Sequence, residues 1–366
     1  MSRCINFLAL IFATGFTATA VAQNLVGAGS TFAAPMYTAV TEKFGMKNQF
    51  NLSYASVGSG EGIKRIQSRT VDFGASDRPM NRNDLAAKGL QQFPTAIGGI
   101  VISVNLPGVN ASQIRLDGKV LADIYLGKIT RWDDSRLKAD NATITFPATP
   151  IKLIVREEGS GSSYLISSYL STVSAAWKEA FGVSSKISPN GATVAKGNAG
   201  VAQSLASQSG SIGYIEYGYA IDNKLPAVQL KNAFGAFVTP SADTVSAAVR
   251  AADWELLYID TNPTFEINTI NVACPSCWPV VGLTYVVVSK KWPDAEKGAA
   301  FTRFMESLLG DGDGILKEKN YVPLPSRAKS LIRVTLKNQL QDAKGNRLRT
   351  AADHLPDDSI IVTAQN

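Results

Sequence analysis

Apolar positions along this chain follow two rhythms. Short, mostly apolar blocks at 52–56, 71–75, 97–104, 151–155, 212–216 and 285–288 predict strands. Between them, 61–69 and 162–173 read as helices, and 242–257 and 295–309 are helix-length amphipathic stretches. Strand-like and helix-like segments in alternation predict an α/β architecture with mostly parallel sheets. No internal repeat or low-complexity segment interrupts the pattern. From about residue 332 the chain becomes more polar and loses its periodicity, which predicts a partly mobile C-terminal extension.

The N-terminus has a pattern of its own. Residues 1–4 carry one positive charge, 5–20 carry none, and Ala20-Val21-Ala22 before Gln23 forms a small-residue cleavage site. This is the grammar of a secretory signal peptide over 1–22, with an apolar run too short for a membrane span. Cys4 precedes the apolar run, away from the cleavage point, which argues against a lipid anchor there. The mature chain is expected to be soluble and exported. Its length suits two ordinary domains or one bilobal fold.

Composition then excludes much. The net charge of +6 is spread along the chain, with no basic run interleaved with aromatics, so nucleic acid is not an expected partner. The single histidine, His354, sits in the polar tail. Ser-His-Asp triads, Cys-His pairs and histidine-rich zinc sites all need an imidazole at the chemistry, so most of those mechanisms fall away. After signal removal only Cys274 and Cys277 remain, in Cys274-Pro275-Ser276-Cys277. A local disulfide is the default outside the cytoplasm. The alternative, a thioredoxin-like redox pair, needs the first cysteine at a helix start, whereas Trp278-Pro279 and a strand-like run follow here.

Three places share one local arrangement: glycine, a small hydroxyl residue, then a helix. They are Gly27-Ala28-Gly29-Ser30-Thr31-Phe32, Gly58-Ser59-Gly60-Glu61-Gly62 and Gly159-Ser160-Gly161-Ser162-Ser163. A helix start leaves backbone N–H groups unpaired and carries partial positive charge. Glycine lets the backbone approach an anion closely, and hydroxyls add further donors. A tetrahedral oxyanion is the natural guest. No Gly-Lys-Ser/Thr follows at P-loop spacing, and there is no G-x-S-x-G elbow. Arg156 ends a buried strand run four residues before Ser160, where its guanidinium could fork onto two oxygens of an anion, with Glu158 close enough to hold it. Asp77 also follows a strand, in Phe73-Gly74-Ala75-Ser76-Asp77. A surface Arg–Glu pair and a turn-capping aspartate are the plainer readings of those residues.

Several segments, in order from about 25 to 330, resemble the periplasmic phosphate-binding protein of the Pst-type phosphate ABC transporter. They include the glycine–hydroxyl loops at Gly27 and Gly159, Val71-Asp72-Phe73-Gly74-Ala75-Ser76-Asp77, Phe93-Pro94-Thr95-Ala96-Ile97-Gly98-Gly99, Asp123-Ile124-Tyr125-Leu126-Gly127-Lys128-Ile129, Gly213-Tyr214-Ile215-Glu216-Tyr217 and Trp278-Pro279. The resemblance implies a two-lobed, hinged α/β fold, each lobe a central mixed sheet flanked by helices. The lobes would be 23–97 with 262–331, and 98–261, leaving 332–366 as the extension. It implies phosphate contacts from Ser30, Thr31, Phe32, Ser59, Asp77, Arg156, Ser160, Gly161 and Ser162. It implies a monomer without catalytic residues, metal or cofactor that hands phosphate to an inner-membrane ABC permease. Ser162 stands where the family usually has Thr. Glu61 departs from a glycine–serine pattern and would either face outward or repel the guest. Asp77 can accept a hydrogen bond from phosphate, which still carries a proton at neutral pH, but faces only lone pairs on sulfate. The rival readings are a receptor for another oxyanion (phosphonate, arsenate or sulfate), a phosphatase, and an adhesion protein acting through its tail. On this reading, deleting 332–366 leaves phosphate binding intact.

Overall fold

The computed structural model describes residues 22–259 and 263–348. Nearly all of the predicted signal peptide, and His354, lie outside the described residues.

The chain opens with β1 (Gln23–Gly29), α1 (Ala34–Phe44), β2 (Phe50–Ser56), α2 (Ser59–Gln67), β3 (Phe73–Ser76) and α3 (Arg82–Ala87). The long strand β4 (Leu90–Asn105) leads to β5 (Arg115–Leu116), α4 (Gly118–Tyr125), α5 (Ser135–Lys138), β6 (Lys152–Arg156), α6 (Gly161–Val173) and α7 (Ala175–Ala180). Next come β7 (Thr193–Ala195), α8 (Gly197–Ser207), β8 (Ser211–Glu216), α9 (Tyr217–Asp222), β9 (Gln229–Lys231), β10 (Phe237–Val238), α10 (Ala242–Ala251) and α11 (Leu256–Ile259). The return path is β11 (Val281–Ser289), β12 (Lys291–Trp292), α12 (Ala295–Leu309), α13 (Asp313–Glu318), α14 (Ser326–Gln339) and β13 (Gln341–Asp342).

Eight strands form one sheet in the order β2-β1-β3-β11-β4-β8-β6-β7. Strand β4 belongs to both halves: Leu90–Gly99 pair with β11, whereas Ile100–Asn105 pair with β8. The two-lobed α/β expectation holds, with the lobes meeting along this one strand. On each side parallel pairs (β1 with β2 and β3, β6 with β7 and β8) adjoin antiparallel ones, so each half is mixed. Parallel strands joined by helices aim their C-terminal ends, and the loops that follow, toward one crevice. The turns after β1, β3 and β6 carry the glycine–hydroxyl loop of Ser30, then Asp77, then the loop of Ser160.

Sequence reading foresaw only the second half of β4. Gln91, Gln92 and Thr95 are polar residues at buried positions, and Pro94 reads as a breaker. The structure satisfies them individually. Gln92 accepts from the Met80 amide at 2.8 Å and donates to the Met80 and Thr264 carbonyls, and Gln91 donates to Pro263 O at 3.1 Å. The register shifts between Thr284 and Tyr285 opposite Thr95, and this bulge accommodates Pro94 within the ladder. Helix α10 ends at Ala251 rather than 257, because Ala252 turns to extended backbone and Trp254 folds back to donate to Val249 O at 2.7 Å.

The boundary at 332 also reads differently in three dimensions. Helix α14 runs through it to Gln339, and Ile332, Leu336, Leu340 and Leu348 are buried. Its charged outer positions hid an apolar stripe facing α12. A chain ending at 331 loses those four side chains, each worth about 2–5 kcal/mol by truncation standards, which approaches the whole stability of a typical domain. We expect it to lose its cooperative thermal transition in circular dichroism, in contrast to the tolerance that the sequence implied.

Cys274 and Cys277 are joined by a disulfide. The segment is a turn with no helix start at Cys274, so the condition for redox chemistry is missing. The Asn232 amide reaches into the loop and donates to the carbonyls of Cys274, Pro275 and Cys277 at 2.9, 3.3 and 3.1 Å. The chain then crosses between the halves beside Ile100. Trp278 Nε1 donates to Ile100 O at 2.9 Å, and Ile100 N donates to Val280 O at 2.9 Å. The double variant C274S/C277S is expected to lose about 2 kcal/mol in denaturant unfolding, the loop-closure value for so short a ring, with anion binding changed less than threefold.

Candidate functional site

Strand β1 carries the first loop into the crevice. Gly29, at φ +143°, lets Ser30 turn so that its amide donates to Ala75 O at 2.9 Å. The Ser30 hydroxyl accepts from Phe32 N at 3.1 Å and donates to Asp77 Oδ1 at 2.6 Å. Both donors of Ser30 are thus committed. Ser30 holds the Asp77 carboxylate, because its hydroxyl has one proton and that proton points at Asp77. The Phe32 ring packs over Gly98 and beside Tyr321.

Ser59, in the first turn of α2, accepts from Asp77 N at 3.2 Å and from Gly161 N at 3.1 Å, and lies 3.5 Å from Asp77 Oδ2. Gly161 has no room for a side chain, since a Cβ there would overlap the Asp77 carboxyl. Asp77 is 2% exposed. Burial pushes its carboxyl up to about 6, against the nearby Ser30, Thr284 and Ser59 hydroxyls and the charge of Arg156.

From the other half, β6 delivers Arg156, also 2% exposed. It pairs with Glu158, which also accepts from the Gly197 amide. Its Nη2 donates to Thr31 Oγ1 at 3.0 Å and its Nη1 to Ser162 Oγ at 3.4 Å. Its Nε is buried with no hydrogen-bond partner among the described residues. Thr31 Oγ1 also receives Asn198 Nδ2 at 3.0 Å and Asn198 N at 3.4 Å. A hydroxyl oxygen has two lone pairs, so its acceptor capacity is full and its own proton must be given elsewhere. Ser160 caps α6 by accepting from Ser163 N at 3.3 Å, while its amide donates to Ser185 O. The Ser162 amide, in the first turn of α6, has no intrahelical acceptor, as at every helix start.

The nine residues singled out in the sequence therefore lie together, and hydrogen bonds cross between the two halves from Gly161 N to Ser59 and from Arg156 to Thr31. Gly60 N donates to Gly159 O at 2.9 Å along the same seam. Glu61 is not part of it. Its carboxylate pairs with Arg65 Nε at 2.9 Å on the outer face of α2, which decides between the two orientations left open above. Chemically the site offers a guanidinium, hydroxyls and helix-start amides around the buried Asp77 carboxylate. That set suits an anion with several acceptors and one proton.

The family model described as "PBP superfamily domain" matches residues 14–307. Phosphate-binding protein PstS of Xylella fastidiosa (strain Temecula1) is 37% identical over 302 residues, covering 82% of this chain and 82% of that one. The chain belongs to the PstS family. PstS of Pasteurella multocida is 36% identical over 348 residues, covering 95% of this chain and 99% of that protein. Among solved structures, a high-affinity periplasmic phosphate-binding protein bound with phosphate superposes with a TM-score of 0.72 at 21% identity, covering 90% of this chain and 96% of that chain. That likeness shows the fold.

Sequence reasoning missed Asn198, Tyr219 and Glu216 as parts of this member of the PstS family's crevice. Tyr219 OH donates to Thr31 O at 3.0 Å from the opposite half. Glu216, fully buried, accepts from the amides of Gly218 and Tyr219 at 2.9 and 3.1 Å, and its own amide donates to Asn198 Oδ1 at 3.2 Å. Burial pushes its carboxyl up to about 8, against those two amides. A signal for Asn198 existed. Gly197-Asn198-Ala199-Gly200 opens α8 after β7 with the same glycine-led start, but an amide side chain replaces the hydroxyl.

Proposed function

We propose that this chain binds inorganic phosphate between its two lobes outside the cytoplasm and delivers it to the membrane permease of an ABC transporter. One observation carries the reading: a buried guanidinium from one half and a buried carboxylate from the other reach the same loop, at Thr31 and Ser30, and the guanidinium Nε–H has no partner among the described residues. An unpaired buried donor of a charged group is costly, and an oxyanion supplies the acceptor. The carboxylate accepts the proton that phosphate retains and sulfate lacks. Contacts divided between lobes are complete only when the lobes close, so the guest biases the hinge toward closure. The chain acts as a carrier rather than a catalyst. Its relatives' naming, the bound phosphate in the superposable structure and the leader-like N-terminus all agree with an exported phosphate receptor.

Calorimetric titration of the mature chain tests this. Phosphate is expected to bind one to one, with sulfate at least about 100-fold weaker, a gap of about 2.7 kcal/mol. Equal affinities, or hydrolysis of a chromogenic phosphate ester, would overturn it.

A further inference from the structure

Beneath the two site loops lies a floor made by the two central strands. Register places Ala96 of β4 opposite Thr284 of β11, and Gly98 opposite Gly282. Residues two apart on a strand share a face. What covers this face is informative. A Cβ on Gly98 would overlap the Phe32 ring, and one on Gly282 would overlap Leu165 of α6. Phe32 follows Thr31 and Leu165 follows the Ser160–Ser162 loop, so these glycines lie under the two walls of the crevice. Thr284 shares their face and is the polar side chain between the walls. It is completely buried, and its hydroxyl has no hydrogen-bond partner among the described residues.

The neighbouring strand supplies an acceptor. Tyr285 pairs with Ser76 on β3, which brings Thr284 beside Asp77, the next residue along. Of the two Asp77 oxygens, Oδ1 receives Ser30 at 2.6 Å, whereas Oδ2 receives Ser59 at the longer distance of 3.5 Å. A buried carboxylate with one poorly served oxygen and a buried hydroxyl with no acceptor lie on adjacent strands.

We infer that Thr284 is a specificity-determining positioning residue. It donates to Asp77 when the site is filled and keeps that carboxylate available as an acceptor for the guest's proton. This rests on the reading of Asp77 given above. The Thr284 hydroxyl is near enough to hold the Asp77 carboxyl down, alongside Ser30. The other groups facing Asp77 leave it the titrating member near pH 6. They are Arg156 from β6, Glu216 from β8, and Tyr37, Tyr54 and Tyr321, whose phenols burial holds well above their ordinary value. Glu216 titrates higher, at about 8, and its transition is separable.

The test compares wild type, T284V and T284S by calorimetric competition of phosphate against sulfate from pH 5 to pH 8. Val keeps the shape and removes the hydroxyl; Ser keeps the hydroxyl. In wild type the phosphate preference is expected to decline as pH falls through about 6. In T284V that decline moves to higher pH, and the preference at pH 7 drops by about tenfold, one unit of carboxyl shift. T284S is expected to behave as wild type. A T284V profile that overlays wild type overturns the role of Thr284 and leaves the Asp77 reading intact. A wild type with no preference at pH 8 overturns the Asp77 reading itself. Should T284V not fold, T284A, which removes the hydroxyl without placing a methyl near Asp77, is judged by the same two criteria.

Discussion

Asp77→Asn is expected to admit sulfate and weaken phosphate, narrowing the ratio of the two affinities by about 100-fold or more. The carboxylate is 2% exposed and cannot be screened by water. Facing sulfate, it sets a negative charge against lone pairs in a dry site, a penalty of several kcal/mol. Asparagine removes the charge and offers an N–H₂ that sulfate can accept from. Phosphate loses its one acceptor, worth about 1.5–3 kcal/mol for a hydrogen bond to a charged group. The same loss of selectivity is expected in wild type at low pH. With the carboxyl at about 6, it is an acceptor above that value and a neutral donor below it. Discrimination is thus present at pH 8 and fades as pH falls through 6, while D77N shows none of this dependence. Stability supplies a control. A carboxyl raised in the fold from 3.8 to about 6 opposes folding increasingly across that interval and fully above it. D77N at pH 8 is therefore expected to melt no lower than wild type, so its loss of selectivity cannot be put down to unfolding. Competition titration and thermal melting, side by side, check both halves.

Arg156→Met is expected to weaken phosphate by about 1,000-fold or more. The guanidinium holds Thr31 and Ser162, and its Nε has no partner among the described residues. Losing two charge-assisted hydrogen bonds at about 1.5–3 kcal/mol each accounts for that factor. It also removes the cation that connects the two halves at Thr31. Arg156→Lys retains the charge without the planar fork, so an intermediate loss is expected, nearer to Met than to wild type. Glu158 loses its partner in both variants but still accepts from the Gly197 amide and is partly solvated, which limits the damage to the fold. Calorimetry at pH 8 reads the affinities, and Trp278, which bridges to Ile100 at the crossing between halves, supplies a fluorescence signal for closure. An Arg156→Met protein within tenfold of wild type would remove this residue from the site.

Much of this was legible in the sequence because the chemistry is carried by local grammar. Glycine followed by a hydroxyl at a helix start is readable without coordinates, and each of the three loops lies in the crevice. Asp77 and Arg156 were readable because each ends a strand, and strand ends of α/β sheets converge. What was hidden depended on distant partners. Gln91 and Gln92 interrupt an apolar run and are satisfied by Met80, Pro263 and Thr264, none of which a local window contains. The bond from Ser30 to Asp77, forty-seven residues away, lies outside any local window. Asn198 serves Thr31 from the far half with an amide where a hydroxyl was sought. The apolar stripe of α14 was masked by the lysines and arginines on its outer face.

A crystal structure of the mature chain with phosphate tests the central claim most directly. The account predicts one phosphate enclosed by both halves, one of its oxygens about 2.5–2.7 Å from an Asp77 oxygen and another within about 2.9 Å of Arg156 Nε. Phosphate bound elsewhere, or seated in the crevice with Asp77 turned away beyond hydrogen-bond reach, would contradict it.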